Sequence, residues 1–306
     1  MTELPPLILI VGPTAVGKTD LAIELALRLG GEVVSADSRL FYRGMDIGTA
    51  KPSAEEMRGV PHHLINVANP DETWSLALFQ QEARRVIADI HQRGSLPLLV
   101  GGTGQYVRAV TEGWTPPAAQ PDSRLREILE KLARDRDKYW LHDKLRVLDP
   151  LAADSIDPRN LRRTVRALEV ILTTGQPFSM QRRVTGSPYR LIAIGLKRPR
   201  EELYQRVDTR IEAMFAQGLL DEVQSLIDKG YSPDLPCMSA IGYREAAAVL
   251  RGEMTVEEAK AQMKRLTRIF VRRQANWFKE TDPDIRWFEA GRVPVKEVER
   301  FIRKNL

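Results

Sequence analysis

The sequence predicts an α/β fold, in which a parallel sheet is flanked by helices and accompanied by a helical insertion and a helical C-terminal part. Short apolar runs alternate with amphipathic segments over the first third of the chain, which is typical of strands joined by helical crossovers. A glycine-rich loop follows the first apolar run. The 306 residues are 43% hydrophobic and 28% charged, a composition that indicates a globular chain and excludes collagen-like and disordered ones.

The first 35 residues predict a strand, a loop, a helix and a second strand. Leu7–Val11 is a continuous apolar run, as expected for a strand buried in a parallel sheet. Asp20–Leu29 has helical periodicity and is followed by two glycines, which form a typical helix stop. Glu32–Ser35 is then predicted as the second strand, and it ends just before Asp37.

Residues 75–113 continue the alternation of helix and strand. Ser75 is a candidate N-cap for a helix that ends near Gly94, and Leu96–Val100 is a further buried strand. The next segment, 101–104, is Gly-Gly-Thr-Gly and is expected to open another helix. We therefore expect one parallel sheet with right-handed crossovers.

The composition changes near residue 114, and this change predicts the domain organisation. Residues 121–183 have helical patterns, whereas Tyr189–Leu196 is predicted as a strand that returns to the sheet. We therefore expect residues 1–114 and 189–306 to form the core, and residues 115–188 to form a helical insertion domain. Further helices are predicted at Glu201–Gln217, Leu219–Lys229 and from Thr255 to Lys279.

Charge is distributed unevenly along the chain. The net charge is +5 overall, and it is −3 for residues 1–113, +5 for residues 114–190 and +3 for residues 191–306. An acidic first third followed by a basic remainder favours a chemical module joined to a surface for a polyanion such as a nucleic acid.

Other features indicate a cytoplasmic protein. No apolar run approaches the roughly 20 residues that span a bilayer, and the N-terminal segment has no secretory pattern. The single cysteine, Cys237, excludes an internal disulfide and a zinc site built from several cysteines. We expect no membrane partner.

The loop after the first strand predicts a phosphate-binding site. Gly12-x-x-x-x-Gly17-Lys18-Thr19 matches the P-loop pattern, in which backbone N–H groups and a helix N-terminus surround an anion. Lys18 adds a positive charge, and Thr19 offers a hydroxyl to Mg²⁺. The predicted phosphate-binding residues are Gly12, Pro13, Thr14, Ala15, Val16, Gly17, Lys18 and Thr19.

The strand ends differ from those of an ordinary P-loop NTPase. Such proteins have an apolar strand that ends in an acidic residue near Mg²⁺, whereas Leu96–Val100 is followed by Gly-Gly-Thr. Asp37 supplies an acid at another strand end, and its position alone fits a general base, a cap or a metal ligand. The pattern leaves open whether the loop binds ATP or a diphosphate that is not a nucleotide.

Segments from residue 12 to residue 277 together form a specific pattern. The most specific is Gly44-Met45-Asp46-Ile47-Gly48-Thr49-Ala50-Lys51-Pro52. The others are the P-loop, Ser35–Tyr42, Gly101–Thr103, Arg166–Val170, Ile241–Arg244 and Arg273–Trp277. In these segments, which cover nearly the whole chain, the sequence resembles the bacterial tRNA dimethylallyltransferase family.

The resemblance implies a P-loop-type core and an enzyme that transfers a dimethylallyl group from dimethylallyl diphosphate to tRNA. The acceptor would be the exocyclic amine of the adenine immediately 3′ of the anticodon. The implied cofactor is Mg²⁺, the partner is the tRNA anticodon stem-loop, and we expect a monomer. By the same resemblance, Asp37 would be the general base, Thr103 would orient the amine, and Arg210 would stabilise the leaving diphosphate.

The resemblance also implies a tRNA-binding surface, and the charge pattern supports it. Arg159, Arg162, Arg163 and Arg166 would share one helical face. Seven basic residues and no acidic one lie between Ala259 and Lys279. The implied tRNA-binding residues are Asp37, Ser38, Arg39, Leu40, Arg162, Arg163, Thr164, Val165, Arg166, Ser239, Gly242, Tyr243, Arg244, Arg272, Arg273, Gln274, Asn276 and Trp277.

Two other functions compete with the transferase. A P-loop kinase would use the insertion as a lid and Asp37 as a base, and it would turn over ATP, but it leaves the basic segment 259–279 unexplained. A noncatalytic RNA-binding protein with a vestigial P-loop is disfavoured by the intact Gly17-Lys18-Thr19.

Overall fold

The protein divides into two compact units. A computed structural model describes residues 3–114, 122–137, 139–181 and 186–306. One unit comprises residues 1–111 and 187–306, and the other comprises residues 112–186. The predicted end of the insertion at residue 188 lies two residues beyond this second unit, whereas its predicted start at residue 115 lies outside the described residues, as do residues 121 and 183.

Six strands in the described part of the first unit form a single sheet in which every pairing is parallel. They are β1 Pro6–Val11, β2 Gly31–Ser35, β3 His62–His63, β4 Leu96–Gly101, β5 Arg190–Lys197 and β6 Ile285–Glu289. Their order across the sheet is β3-β2-β4-β1-β5-β6. The predicted α/β class with a parallel sheet is confirmed, and the four predicted strands are the four central ones.

The two strands that were not predicted lie at the two edges of the sheet. β3 has only two residues, which is too short for any periodicity. In β6 most side chains are half-buried or exposed, so that the strand lacks a continuous apolar run. In contrast, all but the first residue of β1 and of β4 are buried, because these central strands are covered on both faces.

Helices flank the sheet in the first unit and make up the second. In the described residues no helix is long and apolar enough to cross a membrane. The helices of the first unit are α1 Lys18–Leu29, α2 Ala54–Met57, α3 Leu76–Gln92, α4 Gly104–Thr111, α10 Arg200–Ala216, α11 Leu219–Asp228, α12 Tyr243–Leu250, α13 Val256–Gln274 and α14 Val295–Asn305. Those of the second unit are α5 Ser123–Arg134, α6 Trp140–Leu148, α7 Pro150–Ser155, α8 Leu161–Thr174 and α9 Phe178–Gln181.

Two helix predictions need correction. α13 ends at Gln274 rather than at Lys279, so that Asn276 and Trp277 lie in the turn that follows the helix. α8 begins at Leu161, with the side chain of Asn160 as its N-cap. Arg159 therefore precedes the helix and is paired with Asp157 at 2.8 Å, instead of sharing a helical face with the later arginines.

Candidate active site

The P-loop connects β1 to α1 in a conformation that depends on glycine at two positions. Gly12 has φ 147° and Gly17 has φ 103°, both in the region that favours glycine. A Cβ on Gly12 would also lie 2.5 Å from the carbonyl oxygen of Leu196 in β5. Gly17 is the N-cap of α1, so the helix presents its unpaired N–H groups to the loop.

Cationic side chains hold four carbonyl groups of the P-loop. These carbonyls cannot contribute to an anion site, and each of them is instead satisfied by a side-chain donor. The loop N–H groups other than that of Thr14, which donates to Gln274 Oε1 at 2.7 Å, are then left to face an anion. Lys18 Nζ donates to the oxygens of Gly12 and Pro13 at 3.0 and 2.8 Å, Arg206 Nε to that of Ala15 at 2.7 Å, and Arg198 Nε to that of Val16 at 3.1 Å.

The loop borders a cavity of about 130 Å³, called here the loop cavity. Lys18 and Thr19 line it together with Asp37, Arg206 and Arg210. Burial, opposed by the carboxylate of Asp37 and assisted by Arg210, lowers the pKa of Lys18 to about 8. A cation buried in this way is stabilised when an anion binds beside it.

Asp37 lies just beyond β2, at the carboxyl edge of the sheet. The Ala36 N–H continues the pairing with β4 by donating to Val100 O at 2.8 Å, which fixes the chain as it leaves the strand. Asp37 Oδ1 accepts the Arg39 N–H at 3.0 Å, whereas Oδ2 accepts no hydrogen bond in the described structure. The carboxylate is therefore oriented by the backbone while one oxygen remains available.

A second cavity of about 270 Å³, called here the apolar cavity, adjoins the first. Its apolar lining comes mainly from α10, α13 and the segment before α12, and consists of Val207, Ile211, Met214, Ile241, Met263 and Phe270. The two cavities share five lining residues, which are Thr14, Asp37, Thr49, Ala50 and Arg210. Asp37 and Arg210 thus stand where a phosphate-binding space meets an apolar space.

Thr103 follows β4 and lines the apolar cavity. Its carbonyl accepts the N–H groups of Tyr106 and Val107 at the start of α4, whereas its hydroxyl bonds to nothing among the described residues. Gln274 at the end of α13 and Trp277 in the turn that follows it fix its neighbours. Gln274 donates to Gly102 O at 3.1 Å, and a Cβ on Gly104 would lie only 2.3 Å from the ring of Trp277.

Arg210 has no hydrogen bond or ion pair within the described parts of the chain, yet it lines both cavities. Burial lowers its pKa, and so does the neighbouring Arg206, while three carboxylates oppose the shift. A partly buried guanidinium without a partner is costly unless an anion compensates it. The structure places Lys18, Asp37 and Arg210 around the loop cavity.

Five of the predicted tRNA-binding residues are buried in the structure, and their contact with tRNA stays a prediction. Thr164 and Val165 pack inside the second unit at 1% and 3% exposure, and Tyr243 is fully buried in the first. Gly242 is also buried. Gln274, at 7% exposure, uses its carboxamide inside the protein, where Oε1 accepts the Thr14 N–H at 2.7 Å.

The remaining predicted tRNA-binding residues have exposed or half-buried side chains. Arg166 pairs with the buried Glu169 at 2.7 Å, and Arg244 pairs with Glu245 at 2.8 Å. Ser38, Arg39 and Ser239 line the apolar cavity next to Asp37. The others are Leu40, Arg162, Arg163, Arg272, Arg273, Asn276 and Trp277.

Sequence reasoning missed three residues of this site. Arg198 and Arg206 hold the P-loop, and Glu222 holds the segment 46–48, as described below. A signal existed for Arg206, because it lies one helical turn before Arg210 and so shares its face. The sequence contains no comparable signal for Arg198 or Glu222.

The fold and the site define a P-loop-type α/β protein in which the phosphate-binding loop opens beside an apolar cavity. A family profile described as IPP transferase matches residues 40–281, and one described as isopentenyl transferase matches residues 5–68.

Curated relatives agree with these matches over nearly the whole chain. A tRNA dimethylallyltransferase of Thermomicrobium roseum is 48% identical, with 100% of this chain and 94% of the relative covered. One of a Roseiflexus species is 53% identical, with 90% of each covered.

Solved structures are similar as well. The full-length tRNA isopentenylpyrophosphate transferase of Bacillus halodurans is 45% identical, with a TM-score of 0.73 and coverage of 98% of this chain and 96% of that one. A eukaryotic dimethylallyltransferase acting on tRNA is 29% identical, with a TM-score of 0.79 and coverage of 94% and 74%. The chain belongs to the tRNA dimethylallyltransferase family of prenyltransferases.

Proposed function

We propose that this protein transfers the dimethylallyl group of dimethylallyl diphosphate to the exocyclic amine of a tRNA adenine, the one immediately 3′ of the anticodon. One observation carries the proposal beyond family membership. Asp37 and Arg210 line both the loop cavity, which suits a diphosphate, and the apolar cavity, which suits a prenyl chain and a base. The reacting carbon would lie between them.

The reaction breaks the C–O bond of the donor and joins the carbon of that bond to the amine nitrogen. The electron pair of the C–O bond leaves on the diphosphate oxygen. The loop N–H groups, Lys18 and Arg210 would stabilise this charge. The amine is a weak nucleophile, so Asp37 would accept its proton as the new bond forms, while the unpaired hydroxyl of Thr103 would orient it.

Mg²⁺ is part of the proposal, with Thr19 as its protein ligand. Mg²⁺ commonly binds through one or two protein oxygens, several waters and substrate phosphates. Thr19 lines the loop cavity beside Lys18. In the described residues no group of three or more His, Cys, Asp or Glu side chains could hold a metal ion, so phosphate oxygens would complete the site. The bound ion would neutralise charge on the leaving diphosphate.

The adenine must leave its stack to reach Asp37. Unstacking costs a few kcal/mol and costs least for a base that is already unpaired, which favours an anticodon loop as the substrate. The exposed members of the predicted surface, among them Arg39, Arg162, Arg163 and Arg272, would hold tRNA phosphates. We further propose that the protein acts as a monomer in the cytoplasm.

The test is mass spectrometry of an unmodified tRNA incubated with the protein, Mg²⁺ and dimethylallyl diphosphate, with ATP added in a parallel tube. We expect a five-carbon mass gain on the anticodon-loop adenine without ATP. A tRNA with guanine at that position is the matched control and should gain no mass. ATP consumption without a mass gain would instead support the kinase alternative.

A further inference from the structure

The segment 45–50 forms the wall shared by the two cavities. Thr49 and Ala50 line both the loop cavity and the apolar cavity, and Gly48 lines the apolar one. This wall lies between β2 and the short helix α2, and in the described structure it belongs to no strand or helix. Turn hydrogen bonds within the segment, such as that from the Thr49 hydroxyl to Met45 O at 2.7 Å, fold it locally, and contacts with other elements hold it in place.

One carboxylate, on α11, provides three of those contacts. Glu222 Oε2 accepts the N–H groups of Asp46 at 2.9 Å and Ile47 at 2.7 Å, and Oε1 accepts that of Gly48 at 3.2 Å. Successive backbone N–H groups that converge in this way form a nest, which normally holds an anion. Here the anion is a side chain of the protein itself.

Tyr243 of α12 completes the arrangement. Its hydroxyl donates to Glu222 Oε1 at 2.5 Å, and burial next to this carboxylate raises the pKa of Tyr243, so the phenol stays protonated. A Cβ on Gly48 would lie 2.5 Å from the Tyr243 ring, so the ring packs directly on the wall. Glu222 thus has four donors, from the wall and from α12.

We propose that Glu222 is a positioning residue, which through the nest at 46–48 and through Tyr243 sets the wall between the diphosphate and the acceptor base. This inference rests on the proposed function. It gives Tyr243 a role in shaping the site from within, in place of direct contact with tRNA. The P-loop itself is held separately, by Lys18, Arg198 and Arg206.

Because the wall and the P-loop are held by different contacts, a change at Glu222 should slow transfer without weakening diphosphate binding. A general loss of structure would impair both. Glu222→Gln removes the charge and one acceptor, so the nest opens and the wall moves. We expect the single-turnover rate of transfer at saturating tRNA and donor to fall at least tenfold. Inorganic diphosphate would bind to the P-loop and Arg210, which Glu222 does not contact, so its Kd should stay within twofold of the wild-type value.

Three further variants make the test decisive. Asp221→Asn removes a neighbouring exposed charge from α11 and should leave rate and Kd unchanged. Gly48→Ala pushes the wall against the Tyr243 ring from the other side and should reproduce the slow transfer with normal diphosphate binding. Tyr243→Phe keeps the ring and loses one of four hydrogen bonds, so the rate should fall only about two- to threefold.

The outcomes distinguish a failure of the proposed function from a failure of the positioning role of Glu222. If the wild-type protein does not modify tRNA, the proposed function fails. If it does, and Glu222→Gln transfers at the wild-type rate, or loses diphosphate binding in parallel with transfer, the positioning role is wrong. Should Glu222→Gln not fold, Gly48→Ala decides by the same comparison of rate and Kd.

Discussion

The P-loop and helix α13 both concentrate positive charge, but the structure uses that charge in different ways. At the P-loop, Lys18, Arg198 and Arg206 donate to backbone carbonyls and so orient a phosphate-binding loop. On α13, Lys260 and Lys264 pair with Glu212 on α10 at 2.8 and 2.6 Å. The function of a cation is therefore set by the group it faces, which its own sequence segment does not reveal.

The seven basic residues of segment 259–279 fall into two groups, according to whether they form an ion pair. Arg268 pairs with Asp208 at 2.6 Å, which makes it the third cation of α13 that an acidic residue of α10 neutralises. Such pairs at the surface contribute little stability, but the paired cations are less available to bind phosphates. Four of the seven make no ion pair within the described chain, and these are Arg265, Arg272, Arg273 and Lys279.

The largest effect is expected at Asp37, which lines both cavities. If chemistry belongs to the cavity and RNA binding to the exposed surface, Asp37→Asn should lower the single-turnover rate of transfer about 10²- to 10⁴-fold, because an amide cannot accept the proton. The tRNA Kd, measured by filter binding, should change only severalfold. A variant rate within threefold of wild type would remove Asp37 as the base.

The pKa of Lys18 provides a second test of the loop. Below pH 8 its ammonium is charged and attracts a diphosphate, whereas above pH 8 the free protein loses that charge. Bound diphosphate favours the charged form, so binding takes up a proton, and donor affinity should fall as the pH rises through about 8. Calorimetry with dimethylallyl diphosphate and no tRNA, at pH 7.5 and 9.5, measures this.

Lys18→Ala is the control for that experiment. The variant should bind the donor about 10- to 100-fold more weakly at pH 7.5, the loss expected for a hydrogen bond to a charged group, and its affinity should no longer depend on pH in this range. A pH dependence that survives in Lys18→Ala belongs to another group.

Arg206→Met tests whether a cation on a loop carbonyl supports phosphate binding. It leaves Ala15 O without its donor, at a residue with φ 63°, so the loop should lose its fixed orientation. We expect the Kd for inorganic diphosphate to rise about two- to tenfold, in line with the loss of one hydrogen bond. Gln205→Met, on the exposed neighbouring residue, should leave the Kd unchanged.

The smallest effect should appear on α13, where adjacent residues form a matched pair. Arg265→Gln removes an unpaired cation, and Lys264→Gln removes one that is already neutralised by Glu212. Each phosphate contact contributes roughly 0.7 to 0.9 to the slope of log affinity against log salt. Only Arg265→Gln should reduce the slope for tRNA binding by about this amount, and equal slopes for both variants would contradict the division.

The central sheet could be predicted from the sequence because its strands are buried on both faces. Leu7–Val11 and Leu96–Val100 have no exposed face, so their residues are continuously apolar and their length alone distinguishes them from helices. β3 and β6 escaped prediction because edge strands are shorter or less buried. The P-loop was recognisable because its chemistry requires glycine, lysine and threonine at fixed spacing.

The sequence does not show which of the residues around the site have buried side chains. Thr164, Val165, Tyr243 and Gln274 belong to segments that carry the family pattern, yet their side chains point inward. A pattern of residue types records that a position matters, but it does not show whether the side chain contacts substrate or supports a residue that does.

The fold class, the phosphate-binding loop and the family could therefore be inferred from the amino-acid sequence, because each depends on residues that are neighbours in the chain. The tertiary structure alone decided which charges are available. The contacts of Arg198 and Arg206 with the P-loop, the Glu222 nest and the ion pairs of α13 join residues 48 to 191 positions apart. Chain spacing does not specify such contacts, because they form only when the elements pack together.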